Sequence, residues 1–576
     1  MTDRNMIGAD LVCASLERLG IKCVFGMPGT QSLPLYYALK SSKLRSITAT
    51  HELAAAFMAN GYFRACGKPA ALLTIPGPGL TFALTGIAEA QHDSAAMIYL
   101  LARKHQGISR RFAFQVIDQE SIAGSLAKKC FTIREASEIA SVLSEAVGTA
   151  VGGQPGPVVV ELDTEMLFHQ AGDGASESVS EISPAEVRKE DLAAITDRIR
   201  CSKRPVMFFG QGAQEGATAA IGLAEQLHCP VLTTSSGRGV VSEDHPLLVG
   251  PGFTVHGLDL VNEFLVTSDL ILAIGCKLSH NGSAGFRLKL PQEKLVHVDA
   301  SQEVLNANYP ASLAVCADAT LLLARLVEVV SAEKLASSWT GNEIADFRSR
   351  FLAEVKSVRP HYPQAVDCRP AEIQYLFEAL RRALPRDCTV VTDSGLHQYL
   401  TRCYFEVRTP RGLVTPSDFQ SMAFGLPAAL GAKLARPDRP TVLIVGDGGF
   451  AMTGMEMLTM AREKAPLVIV VFNDGALALI RDQQSGYFGE NFGVEMHNPD
   501  FEAFAVAMGA EYFLAQGNPE VQIGEALKAP QGAIVEVRLN QTLAHRTSVA
   551  ANRLRRKTRR FLGGLISFRT GRRSGS

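Results

Sequence analysis

What this chain lacks narrows it first. It has one tryptophan, no CxxC pair, and no Cys/His cluster with zinc-ligand spacing; its eleven cysteines stand singly from Cys13 to Cys403. A disulfide framework and a zinc-finger architecture are excluded, and the cysteines read as reduced core residues of a cytoplasmic protein. No stretch approaches the roughly 20 apolar residues of a membrane span, and the opening MTDRNMIGADLVCASLERLG carries charge where a signal peptide needs an apolar run. An excess of charge of either sign is also missing: 57 Lys and Arg stand against 58 Asp and Glu, so no nucleic-acid partner is expected. The balance hides one asymmetry, because residues 541–576 hold ten Arg or Lys and no acid, leaving −11 on the remainder against a total of −1.

What is present is an apolar content of 47% in 576 residues, enough for about three or four domains. Amphipathic helical stretches alternate with short β-rich runs, among them Cys23 to Phe25, Ser46 to Thr50, Ala70 to Ile75, Ala96 to Leu101 and Val158 to Leu162. Such alternation predicts an α/β fold of doubly wound parallel sheets. The turn-rich QAGDGASESVSEISPAE reads as a linker, and Ser331 to Asp367, with Trp339, as a helical connection. The expected division is residues 1–171, a linker at 172–189, a central domain at 190–330, the helical connection at 331–368, a third domain at 369–540, and the basic tail at 541–576. The first and third regions look like two copies of one architecture without a residue-level repeat.

The chemistry gathers around TVLIVGDGGFAMTGMEMLTMAREKAPLVIVVFND, residues 441–474. It predicts a buried strand (Val442 to Val445), a glycine turn (Gly446, Asp447, Gly448, Gly449), a helix over about 453–463, and a second buried strand (Leu467 to Phe472) closed by Asn473. Parallel strands joined by a crossover helix bring Asp447 and Asn473 to the same carboxyl edge. One carboxylate and one amide oxygen, completed by water and phosphate, suit Mg²⁺, while the glycines and a helix N-terminus suit a phosphate. A structural turn is the competing reading of Gly-Asp-Gly alone.

A second set of stretches agrees with the cradle: FGMPGTQSLPLYYAL, HELAAAFMANGYFRACGKP, GPGLTFALTGIAEAQHDSAAM, FQVIDQ, SKRPVMFFGQG, TDSGLHQ and MAFGLPAALGAKLARP. With GDGG and ND in their spacing, the chain resembles the acetolactate synthase-like branch of the thiamine diphosphate enzymes over about residues 5–540. The resemblance implies three domains, binding the aminopyrimidine, a central ligand and the diphosphate respectively. It implies that Glu52 bonds the aminopyrimidine nitrogen and that Asp447, Asn473 and the Gly475 carbonyl hold Mg²⁺. It further implies that Met422 is the apolar wedge bending the cofactor, with Gly446, Gly448, Gly449, Ser394, Gly395, His397, Gln398 and Gln420 around it. Gln115 is expected beside Glu52 in catalysis, and Gln31, Leu477, Ile480 and Gln484 in the pocket.

In this family the two ends of one cofactor come from different chains, so a homodimer or homotetramer with sites at the interface is implied. The small-molecule partners would be a 2-oxo acid and a carbonyl acceptor. Acetolactate synthases also bind FAD in the central domain, and Gly210, Gly212, His256, Gly275 and Asp299 lie in the corresponding stretches, although GCKLSHNGSAGF departs from the family's FDDR-like segment. Further departures are Thr30 and Gln31 where decarboxylase relatives carry an ionisable loop residue, no His-His pair near Arg103 to His105, and Gln483 where acetolactate synthases carry tryptophan. The expected activity is decarboxylation of a 2-oxo acid, pyruvate first, with carboligation. A non-ligating decarboxylase and a catalytically idle cofactor-binding scaffold are the alternatives. The tail segment NRLRRKTRRFLGGLI could lie on a membrane surface, but Gly563 and Gly564 disfavour a helix there, and an extension is expected.

Overall fold

A computed structural model describes residues 6–103, 113–170, 186–253, 257–357, 373–515 and 518–539. Residues 172–185 of the linker expected at 172–189, His256, His105 and the basic tail lie outside the described residues, while residues 186–188 lead into helix Lys189–Cys201. Among the described residues every pairing between strands is parallel, and the strands fall into three six-stranded sheets; two isolated bridges outside them, Ile7 with Gln170 and Ala476 with Glu495, are antiparallel. The central strands are apolar on both faces, as in Ala70–Thr74, Pro205–Phe209 and Thr441–Gly446, because helices cover both sides of each sheet. Among the described residues no helix is long and apolar enough to cross a membrane.

The first sheet runs in space Arg45–Thr48, Cys23–Gly26, Ala70–Thr74, Met97–Arg103, Pro157–Asp163, Lys129–Ile133. The third runs Leu413–Val414, Thr389–Thr392, Thr441–Gly446, Val468–Asn473, Ala533–Arg538, Glu511–Leu514. Numbered along the chain, both have the order 2-1-3-4-6-5, so the two regions share one topology. The central sheet differs. Its order, Leu313–Cys316, Leu295–Asp299, Leu270–Ile274, Pro205–Phe209, Val231–Thr233, Leu248–Pro251, is the dinucleotide-fold order 3-2-1-4-5-6 read from its far edge. The order of strand addition reverses between the parallel neighbours Pro205–Phe209 and Leu270–Ile274, which opens a crevice at their carboxyl ends.

The first and third domains lock together through helices Glu52–Cys66 and Gly425–Ala435. A Cβ on Gly431 would lie 1.9 Å from the Met58 carbonyl oxygen and one on Gly61 2.1 Å from that of Ala428, so glycine is what lets the backbones touch. Polar pairs flank the contact: Arg64 meets Asp93 at 3.0 Å, the Ser417 N–H donates to Asp93 at 2.9 Å, and the Ser421 N–H donates to Glu89 at 2.8 Å.

Several local readings change. The glycine turn at 446–449 is the strand's direct entry into a helix, Asp447–Thr453, with Gly446 as the cap. A 3-10 turn, Gly454–Glu456, separates it from a second helix, Met457–Glu463, so the single expected helix is two. The helical connection is built into the central core: Trp339 donates from Nε1 to the Pro205 carbonyl at 2.8 Å, and Phe347 and Phe351 of helix Gly341–Ser357 pack in the same cluster. Five edge strands, Lys129–Ile133, Leu248–Pro251, Leu313–Cys316, Leu413–Val414 and Glu511–Leu514, have no counterpart in the sequence reading because short edge strands show little hydrophobic periodicity.

Candidate cofactor site

At the carboxyl edge of the third sheet, Asp447 follows strand Thr441–Gly446 as the first residue of its helix, and Asn473 ends the neighbouring parallel strand Val468–Asn473. Asp447 is buried and acts as a hub: Oδ1 accepts from the Gly448 N–H at 2.8 Å, and Oδ2 from the Gly475 N–H at 2.8 Å. Gly475 takes φ +66°, which turns its amide inward. The Asn498 Nδ2 donates to Asp447 Oδ2 at 2.7 Å and to Asn473 Oδ1 at 2.8 Å, while its own Oδ1 is buried without a partner. Two hard oxygens therefore converge on one point that an N–H already fills, an environment that would also suit a small divalent cation. The Gly475 carbonyl accepts from the Met496 N–H at 2.8 Å and keeps a second lone pair.

Asn473 is itself held. Its Nδ2 donates to Glu536 Oε1 at 2.6 Å, and Glu536 Oε2 accepts from the Tyr512 hydroxyl at 2.6 Å. The sequence reading missed Asn498 and Glu536. Asn498 sits in a loop without pattern, but Glu536 carried a signal: an acid inside the buried strand AIVEVR.

The neighbouring strand Thr389–Thr392 ends in Asp393, Ser394 and Gly395. Asp393 is fully buried, its carboxyl pushed up to about 7 by burial, and Oδ1 accepts from the Ser394 N–H at 2.6 Å. His397 lies against Gly395 and Gly446; a Cβ on either would come within 2.8 and 3.0 Å of its ring. Burial pushes His397 down to about 4, a smaller backbone effect of Asp393 opposing, so it is neutral at pH 7, with Nε2 buried and unpartnered. An unpartnered imidazole nitrogen between two bare glycines fits a diphosphate oxygen. Gln398 points away from this edge, donating to Thr415 Oγ1 and the Pro416 carbonyl, each at 2.8 Å.

Met422 follows on a strained loop, for Gln420 and Ala423 on either side take φ +63° and +72°. The Ser394 hydroxyl donates to Gln420 Oε1 at 3.3 Å, tying that loop to the strand end. A Cβ on Gly448 would fall 2.9 Å from Leu477, 3.1 Å from Met496 and 3.5 Å from Met422, so this glycine floors an apolar slot. Gly449 lies one residue further into the same helix. Ile480 and Gln484 are on helix Ala478–Tyr487, where Gln484 donates to the Phe492 carbonyl at 3.1 Å.

On the first sheet, Glu52 opens helix Glu52–Cys66, capped by His51, whose Nδ1 accepts from the Leu53 N–H at 3.1 Å. Gln31 Nε2 donates to Gln115 Oε1 at 2.7 Å, joining two loops at that sheet's carboxyl edge, and Gln115 takes φ +59°. Within one chain no hydrogen bond links Glu52 or this glutamine pair to the Asp447 cluster among the described residues.

Two parallel-sheet edges, one carrying a carboxylate and one a phosphate-sized cradle, define a protein built to hold an elongated diphosphate cofactor. Comparison with known proteins makes this specific. Residues 6–122 match the family described as thiamine pyrophosphate enzyme, N-terminal TPP binding domain, residues 192–326 its central domain and residues 393–537 its C-terminal TPP binding domain. The acetolactate synthase isozyme 1 large subunit of Escherichia coli (strain K12) is 30% identical over 548 residues, covering 94% of this chain and 95% of that one. The acetolactate synthase large subunit of Lactococcus lactis is 28% identical, covering 88% and 87%. A probable 2-ketoarginine decarboxylase of Pseudomonas aeruginosa is 31% identical over 501 residues, covering 86% and 87%. The chain belongs to the thiamine pyrophosphate enzymes, in their acetolactate synthase-like group.

Proposed function

We propose that this enzyme decarboxylates a 2-oxo acid, pyruvate or a close analogue, and joins the remaining unit to the carbonyl carbon of a second substrate. Thiamine diphosphate, when bound, supplies the electron sink for the decarboxylation. Asp447, Asn473 and the Gly475 carbonyl would hold Mg²⁺, which neutralises the diphosphate, and His397 Nε2, with the Ser394 hydroxyl once it releases Gln420, would face the phosphate oxygens. Met422, backed by Leu477 and Met496, would press on the cofactor from the apolar slot. Glu52 would share a proton with the pyrimidine ring nitrogen.

The observation that carries ligation over simple release is the Gln31–Gln115 amide pair at 2.7 Å. Amides do not ionise, so neither side chain can hand a proton to the reacting carbon after carbon dioxide leaves, and attack on a second carbonyl is favoured. A decarboxylase remains the second reading because the Pseudomonas aeruginosa relative is named for that activity.

The active unit is a homodimer, or a tetramer of two such dimers, with Glu52 of one chain facing Asp447 of another. Support comes from the absence, among the described residues, of any hydrogen bond between the two within one chain and from exposed Met452, Met455 and Leu458, at 59, 50 and 42%, just beyond Asp447. Incubation with pyruvate and a panel of 2-oxo acids and aldehydes, with products identified by mass spectrometry, tests the reaction. A 2-hydroxy ketone or acetohydroxy acid as major product is expected; free aldehyde dominating under saturating acceptor replaces ligase with decarboxylase.

A further inference from the structure

Resting on the reading of Met422 as the side chain that presses on the cofactor, we propose that Glu89 is a positioning residue for it. From the first domain, Glu89 holds the strained loop that carries Met422 by accepting the N–H of Ser421. A methionine has three rotatable bonds, so it confines a bent ligand only if its backbone is fixed and its neighbours crowd it. Met422 is half-buried, and Gln420 and Ala423 on either side occupy the left-handed region, at φ +63° and +72°. Residues other than glycine keep such angles only where the surroundings over-determine them.

The loop is gripped on both sides of Met422. Before it, the Ser421 N–H donates to Glu89 Oε2 at 2.8 Å. The Gln420 amide donates to the Pro416 carbonyl at 3.1 Å and to that of Ser417, and accepts from the Ser394 hydroxyl at 3.3 Å. After it, the Ala423 carbonyl accepts from the Thr453 hydroxyl at 3.3 Å, and the N–H groups of Gly425, Ala423 and Phe424 face the Asp393 carboxyl. All of these partners except Glu89 belong to the third domain. Glu89 stands on helix Pro78–His92 of the first, and it takes the N–H of the residue directly before Met422.

For the stability of the fold alone, an acid is a poor choice at this place. Glu89 is fully buried, and its Oε1 has no partner among the described residues. Asp93, one turn on, carries charge of the same sign and is itself engaged, with Arg64 at 3.0 Å and the Ser417 N–H at 2.9 Å. Burying a carboxyl with one oxygen unpaired costs free energy, and what Glu89 returns is its hold on Ser421. That hold does not need charge. A protonated carboxyl oxygen accepts an N–H and so does the amide oxygen of glutamine, whereas leucine cannot.

Calorimetric titration of the full chain, in Mg²⁺, with thiamine diphosphate and separately with inorganic diphosphate tests it. Glu89→Leu should weaken thiamine diphosphate binding about tenfold and leave inorganic diphosphate binding unchanged, because the oxygens of Asp447 and Asn473 are untouched. Glu89→Gln should bind both as the natural chain does. The near-ultraviolet circular dichroism of the bound aminopyrimidine should be lost in Glu89→Leu and kept in Glu89→Gln. Because Glu89 acts through Met422, adding Glu89→Leu to Met422→Ala should cost little beyond Met422→Ala alone. Thiamine diphosphate binding in Glu89→Leu equal to the natural chain's, equal weakening of both ligands, Glu89→Gln as weak as Glu89→Leu, or losses that add in the double variant each overturn the proposal. Met422→Ala without effect on thiamine diphosphate binding overturns the reading of Met422 and the role of Glu89 together, whereas a weakened Met422→Ala beside an unaffected Glu89→Leu overturns the role of Glu89 alone.

Discussion

At the scale of single residues, the cradle depends on how two oxygens are held. Asn473 can face the Asp447 side only while its Nδ2 is anchored on Glu536, so Glu536 is a positioning residue acting through Asn473. Replacing it with Leu should weaken Mg²⁺-dependent thiamine diphosphate binding by about 10–100-fold, with Glu536→Gln recovering part of the loss because its carbonyl still accepts. Calorimetry with and without EDTA measures this; metal-free binding as tight as metal-loaded binding would remove the cation from the site. For Glu52, substitution by Gln should leave cofactor affinity largely intact yet slow proton exchange at the cofactor's C2, since an amide cannot share the proton. Exchange followed by NMR at the natural rate would take Glu52 out of the chemistry.

At the scale of elements, the helix pair Glu52–Cys66 and Gly425–Ala435 joins the domains. Gly431→Ala places a methyl 1.9 Å from the Met58 carbonyl, and the expected loss is about 1–3 kcal/mol. Gly222→Ala is the control, because nothing lies within 4 Å of that helical glycine, and its thermal midpoint should hold or rise. Beside the pair, burial and then the charge of Asp93 push Glu89 up to about 7. Its folded pKa lies above the unfolded value, so the stability it contributes is complete below the ordinary carboxylate range and is lost as pH rises through about 7. Glu89→Gln should therefore gain on the natural chain as pH climbs from the ordinary carboxylate range to about 7 and hold that gain above it, read as the difference in thermal midpoint across a pH series. A difference constant with pH would show that folding leaves the Glu89 pKa where it is in the unfolded chain.

At the scale of the whole molecule, the proposed sharing of each site between two chains makes a distinctive prediction. Neither Glu52→Gln nor Asp447→Ala chains should be active alone. Mixed after dissociation, half the dimers carry one chain of each kind and one intact site, so about a quarter of the natural activity should return. Mixing that restores nothing would place both residues of a site on one chain. The exposed methionines beyond Asp447 belong to the same prediction: Met452→Glu should shift the sedimenting species toward monomer.

The strand-turn-helix-strand run of 441–474 declares itself in sequence because its apolar runs are continuous and the side-chain oxygens of Asp447 and Asn473 sit at their ends. Parallel pairing then leaves Asp447 and Asn473 only one relative placement, at one edge of a sheet. The order of strands was not legible in this way, since each sheet is closed at its edges by short strands such as Leu413–Val414, whose pairing comes from neighbours distant in the chain. Nor could spacing bring Asn498 to Asp447, Glu536 to Asn473, or Glu89 to the Ser421 N–H. Those meetings arise when separate loops and domains pack, and the partners they supply or deny to a buried polar atom exist only in three dimensions. Local periodicity and the chemistry of side chains thus determined the class of the protein, while packing between domains decided which groups are satisfied and which remain free to bind.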